Sequence, residues 1–281
     1  MNKTALAWEI SADKKWQGYT LREILFYKEL LFRFVRRDVL STYQQTLLGR
    51  FWIFLQPLLT SFVYVIVFGS FIKTSPNGIP QVLFYLTGTI IWSFFSDSLT
   101  GTMYTFTSNA QIFSKVYFPR IISPLSTICT QFIRLGIQVA LFFTIYFLYT
   151  LSYPNLLINT NIYMIPLMLL FTSAFALGLG LIFSVLIAKY RDFENIIQFG
   201  LRLFMFASPV LYSSAVIPSE FSFIYWLNPL TTMIETFRSA FLTQQYIPQI
   251  YYVITAINVT LMLVVGLILF KRQEQIVMDT I

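Results

Sequence analysis

A chain of 281 residues that is 57% hydrophobic, 19% aromatic and only 11% charged cannot cover a soluble core, since water-exposed surfaces ordinarily draw on about 25% charged residues. Its net charge of +7 invites a nucleic-acid reading, but nine of the 19 basic residues lie before Trp52, an asymmetry that membrane topology explains better. With no histidine and one cysteine, Cys129, the chain lacks histidine-based zinc sites, Ser/His triads and any disulfide framework.

The polar N-terminus, Met1–Tyr19, has no short apolar core with a small-residue cleavage site and does not read as a cleaved signal peptide. Between residues 20 and 46, Leu21, Ile24, Leu25, Leu31, Phe32 and Val35 recur at helical spacing among Arg22, Glu23, Lys28, Arg33, Arg36 and Arg37. This predicts an amphipathic helix lying in the membrane interface, rather than one packed on its own domain, because no soluble core is available to receive it.

Phe51 to Ile72 gives 22 residues without a charge, the clearest single span. Lys73–Pro80 is a breaker-rich external turn. The second span runs from about Gln81 to Phe106 and contains Asp97. Residues 108–120, with Lys115 and Arg120, then form a cytoplasmic loop. The third span covers about Ile121 to Thr150 with Arg134 inside; an uncharged external loop, SYPNLLINTN, follows. A fourth, from about Ile162 to Ala188, carries the small-residue run GLGLIFS, suited to close helix packing.

The cluster KYRDFEN (189–195) is cytoplasmic by charge. The fifth span occupies about Ile196 to Tyr212 with Arg202 inside, and the last about Gln249 to Phe270, ended by Lys271 and Arg272. Residues 213–245 mix Pro218, Glu220, Glu235 and Arg238 with many apolar side chains. They read as two short helices joined at Asn228-Pro229 and dipping into the membrane, a geometry tolerated where broken backbone is buried in protein or lines a watery cavity.

The chain is thus expected to be an all-α membrane protein: residues 1–50 form a cytoplasmic tail and interface helix, and 51–281 a six-span transmembrane domain. Fifteen of the 19 basic residues then fall on the cytoplasmic side, with both termini inside. Arg134 and Arg202 are expected to be buried charges, costly unless they face a bundle interior or a watery path. No internal repeat suggests a secondary transporter.

The sequence contains no GxxxxGK[ST] phosphate loop, and Asp97, Glu220 and Glu235 fall on different elements, which is poor material for paired-carboxylate chemistry. An intramembrane glycan-modifying enzyme would have to rely on those acids. The 30 Phe, 17 Tyr and 5 Trp exceed what interfacial belts require and would suit a passage for a long glycan.

Four segments in this order, VRRDVLSTYQQTLLGRFWIFLQPLL (35–59), FSKVYFPRIISPL (113–125), KYRDFENIIQFGLRLFMFASPVLY (189–212) and LNPLTTMIETFR (227–238), resemble the Wzm-like permeases, the membrane subunits of type-2 ABC exporters of O-antigen and related polysaccharides. Capsule and teichoic-acid permeases share much of the pattern, and exporters of drugs or lipids belong to the same broad superfamily.

The resemblance implies a half-transporter. It would pair with a second copy of itself and two ATPase subunits, move an undecaprenyl-linked polysaccharide across the bacterial inner membrane, and carry no cofactor, ATP and Mg being held by the ATPase. It assigns ATPase coupling to Lys115, Tyr117, Phe118, Pro119 and Arg120, with Pro119 ending the coupling helix. The cytoplasmic interface would include Arg36, Arg37, Asp38, Tyr43, Tyr190, Arg191 and Asp192. Arg134, Trp226, Asn228, Pro229, Glu235 and Arg238 are candidate channel or gate residues, the short helices of 213–241 forming the external gate.

Overall fold

The structure, a computed structural model, describes residues 25–43, 49–69, 79–116, 118–151, 159–213, 217–243 and 246–279. The N-terminal tail, the start of the expected amphipathic helix (Leu21–Ile24), the 73–78 part of the first turn, residues 152–158 of the SYPNLLINTN loop and Tyr117 lie outside the described residues.

Every regular element among the described residues is helical. In chain order these are α1 (Lys28–Tyr43), α2 (Trp52–Tyr64), α3 (Gln81–Met103), the short α4 (Thr105–Ser108) and α5 (Ala110–Phe113), α6 (Ile122–Thr150), α7 (Ile165–Lys189), α8 (Phe193–Phe206), α9 (Ser222–Leu227), α10 (Pro229–Arg238) and α11 (Gln249–Asp279). Wide π-type turns extend α2 over Val65–Gly69 and α10 over Ser239–Thr243.

Among the described residues, four helical stretches are long and apolar enough to cross a bilayer: Gln81–Met103, Ile122–Thr150, Thr160–Lys189 and Gln249–Glu274. The other two expected spans are shorter. Trp52–Phe68 is an apolar helix of about 25 Å at 1.5 Å per residue, and α8 ends at Phe206 after about 21 Å, against a hydrocarbon thickness of about 30 Å. The chain leaves α8 because the Ala207–Tyr212 stretch turns back to supply carbonyls to the α9–α10 hairpin.

Helix α3 is the centre of the bundle. Leu83, Leu86, Ile90, Phe95 and Leu99 point in different directions around it, and all are sealed. A helix that is apolar on all sides belongs in an interior. Helices α2, α6, α7 and α10 pack around it, and α11 packs on the far side of α7. By contrast, α11 displays Ile250, Val253, Ile257, Leu261, Val264 and Ile268 as one exposed stripe, untenable in water and costless in lipid.

The GLGLIFS run packs closely, with its two glycines serving two partners. Gly178 lies against the backbone of Met262 and Leu263 on α11, and Gly180 against Thr102 and the Leu99 carbonyl on α3. Across from Gly178, a side chain at Gly266 would collide with the Gly178 carbonyl. A Gly266→Val substitution is therefore expected to cost about 3 kcal/mol by overpacking. It should lower the apparent melting temperature in detergent, while Gly136→Ala, where the structure leaves open space, should change it little.

Candidate functional site

The candidate side chains gather at the two ends of α3. At its C-terminal end, the loop to α6 is held from both flanks. Asn109 is its organiser: the side-chain amide donates to the Thr105 carbonyl at 3.2 Å and to Ser123 Oγ at 2.9 Å, and accepts from Arg37 of α1 at 3.4 Å. Helix α1 lays Phe34 edge-on against Phe118, with centroids 5.6 Å apart, and Ile122 lies in the same buried cluster.

The amphipathic helix therefore does have a protein surface to rest on, which corrects the expectation that none was available. It still leaves Leu25, Phe26, Phe32 and Leu40 exposed among Lys28, Arg33 and Arg36. The pairing of Arg37 with Asp38 at 2.8 Å is half-exposed and adds little to stability.

On the other flank, Arg120 is buried. Its backbone amide donates to Glu274 Oε1 at 3.0 Å and its guanidinium to the Glu274 carbonyl at 3.4 Å, lying 5.4 Å from the centre of the Phe113 ring. The expected coupling residues thus divide by direction. Phe118 and Arg120 face inward, while Lys115 and its neighbours Gln111, Ser114 and Val116 are exposed or half-exposed. Pro119 does not end a helix here. Helix α5 has already stopped at Ser114, and the Pro119 carbonyl accepts from Ile122 N at 3.1 Å, opening the turn into α6.

Nearby, Tyr190, Arg191 and Asp192 are exposed before α8, and Tyr43 ends α1. Tyr104 donates to Glu194 at 2.8 Å, linking the end of α3 to the start of α8.

At the N-terminal end of α3 lies the α9–α10 hairpin. Asn228 and Pro229 make its corner. Asn228 Oδ1 accepts from Leu230 N at 3.0 Å, and Pro229 fills the first helical turn, where its missing amide costs nothing. The Asn228 amide also donates to the Ala207 carbonyl and Ser208 Oγ. Trp226 is buried, stacked on Tyr251 of α11 at 4.5 Å and 10°.

Arg238 and Glu235 are 0% and 2% exposed and pair at 3.4 Å. Arg238 donates further to the carbonyls of Tyr212 (3.0 Å), Val210 (2.9 Å) and Phe84 (3.4 Å), and sits 3.8 Å from the centre of the Phe84 ring. Glu235 also accepts from the Tyr225 hydroxyl at 3.3 Å. Burial, with that carboxylate beside it, holds the Tyr225 phenol far above its ordinary range, so it remains a donor. Gly88 makes room for all this: a Cβ there would lie 2.8 Å from both Arg238 Nη2 and the Val210 carbonyl.

The charges expected inside the spans are placed differently. Arg134 is half-buried on α6, within electrostatic reach of Asp97, and Arg202 is exposed on α8. Among the described residues, the deeply buried cations are Arg238 and Arg120, which the sequence placed outside the bundle. Asn109, Gly88 and Glu274 escaped sequence reasoning altogether. Their only signals were a lone amide ending a Ser/Thr-rich stretch, a glycine inside a span, and an acid following the Lys271–Arg272 pair in helical register.

These features define a multi-pass α-helical membrane protein with a braced loop at one end of its central helix and a sealed polar hairpin at the other. The chain belongs to the ABC-2 type transporter membrane family, whose profile matches residues 29–242. It is 32% identical over 87% of its length to the O-antigen export system permease protein RfbA of Klebsiella pneumoniae, covering 92% of that protein. Its identity to the protein of the same name from Myxococcus xanthus is 27%, over 79% of this chain and 83% of the relative. The polysialic acid transport protein KpsM of Escherichia coli is similar at 22%, over 85% and 91% of the two chains.

Proposed function

We propose that the chain is the permease half of an ATP-driven exporter of lipid-linked cell-surface polysaccharide, of O-antigen type, in the bacterial inner membrane. The observation that carries this is similarity along nearly the whole chain to permeases named for O-antigen export. In this reading the chain crosses the membrane six times with both termini in the cytoplasm, α2 and α8 being the short crossings. A second copy completes the channel, and two copies of a separate ATPase subunit supply the energy, since the chain has no phosphate loop.

The loop between α3 and α6 docks on that ATPase through its exposed edge, Gln111 to Val116. The hairpin α9–α10 closes the external side of the passage, its buried ion pair fixing the hairpin to α3 rather than facing the cargo. A glycan-modifying enzyme is less well supported, because the Glu235 carboxylate is sealed and engaged by Arg238 and Tyr225.

The test is deletion of the gene, with complementation. Loss of surface O-antigen with undecaprenyl-linked glycan accumulating inside is the expected result, and normal surface display would refute it. Loss of a capsule instead would favour the reading suggested by KpsM. Neutralising Asp97, Glu220 and Glu235 together, with altered glycan composition at undiminished export, would favour the enzyme.

A further inference from the structure

We infer that Glu274 is a positioning residue that makes the docking loop and α11 move together, so that the work of ATP hydrolysis reaches the last membrane helix through it. This rests on the proposed role of the loop as the ATPase contact. Lys271 and Arg272 mark the end of the apolar stretch, yet α11 continues to Asp279. That extension brings Glu274, buried, to the foot of the loop.

There the contact is made twice, backbone to side chain and side chain to backbone, with Arg120 donating both times. The Glu274 carboxylate accepts from the Arg120 backbone amide at 3.0 Å, and the Glu274 carbonyl accepts from the Arg120 guanidinium at 3.4 Å. A backbone amide is a part of the loop itself, so this hydrogen bond fixes the path of the chain and not merely a side chain. The guanidinium, held beside Phe113, closes the other half of the clasp. Hydrogen bonds involving charged groups are the strong ones, and withdrawal from water makes the loss of a partner costly. On its opposite flank the loop is held by Phe34 and Arg37 of α1, whereas Glu274, below the Phe106–Phe270 stack at 4.8 Å, ties it to α11.

The chemistry separates a positioning role from a requirement for charge. A Gln at 274 retains an oxygen that can accept from the Arg120 amide; an Ala does not. The experiment is to purify the permease–ATPase complex carrying Glu274→Ala or Glu274→Gln, reconstitute it with lipid-linked glycan, and measure ATP hydrolysis, glycan exported per ATP and subunit stoichiometry.

The expected result for Glu274→Ala is an intact complex hydrolysing ATP at near wild-type rate, with export per ATP lower by about tenfold. Glu274→Gln should recover most of the loss. Wild-type export per ATP in the Ala variant would overturn the inference. So would parallel loss of hydrolysis, export and subunit association in both variants, which indicates a purely structural contact. If the wild-type complex itself moves no glycan, the proposed function fails instead, and that arm distinguishes the two.

Discussion

Replacing Arg238 by Met should destabilise the protein by about 3–5 kcal/mol, the usual cost of breaking a buried ion pair from one side. The Met side chain occupies similar space but leaves the Glu235 carboxylate without its guanidinium in a site that is 2% exposed, and it removes the group that donates to the carbonyls of Tyr212, Val210 and Phe84. Because those carbonyls belong to the turn after α8 and to the start of α3, the hairpin should come loose from both.

The expected readout is a fall of roughly 10 °C in apparent melting temperature in detergent, with little protein surviving purification. Adding Glu235→Gln to Arg238→Met should recover part of the loss, since the carboxylate is replaced by a neutral amide although the guanidinium donors are not restored. A single variant with wild-type melting would show that the network does not brace the fold.

The second large effect concerns the exposed edge of the docking loop. Lys115→Glu combined with Val116→Asp should leave melting and membrane abundance unchanged, because both positions face away from the protein. Export should nevertheless drop more than about tenfold, since an apolar contact and a cation are replaced by two anions at an interface. Co-purification of the ATPase should fall with it.

Phe118→Ala provides the contrast. Phe118 is 3% exposed between Phe34 and Phe113, so its truncation should cost about 3 kcal/mol of stability and lose export through a collapsed loop. Retained ATPase binding by the Lys115/Val116 variant would place the docking surface elsewhere.

The sequence made helical class and membrane character plain, because a charge-free stretch of about 20 residues flanked by basic clusters is what a bilayer-crossing helix requires. The helical corner at Asn228-Pro229 was equally readable, since Asn before Pro combines a cap with a first-turn residue. What it could not convey was direction. The segment KVYFPR looks uniformly like a docking motif, yet Phe118 and Arg120 turn inward and Lys115 outward. That division depends on α1 and on the end of α11, which are distant in sequence.

Buried charge misled for a related reason. Arg134 and Arg202 sit in apolar runs and look deeply placed, whereas Arg238 sits among polar residues and looks exposed. The outcome is decided by which backbone carbonyls are left open nearby, here those of the turn after α8, and hydropathy does not register carbonyls. Gly88 was invisible for the same cause, because its significance lies wholly in the guanidinium that arrives beside it.

The meeting of Gly178 with Gly266 has a mechanical consequence. Where the Gly266 backbone rests on the Gly178 carbonyl, there are no side chains to change rotamer and absorb a displacement. A fraction of an ångström of sliding would drive peptide into peptide, which packed interiors do not tolerate. Helices α7 and α11 therefore share their degrees of freedom and behave as a single lever. Displacement entering at one is passed to the other, so relative movement falls to helix pairs that lack such a backbone-to-backbone seat.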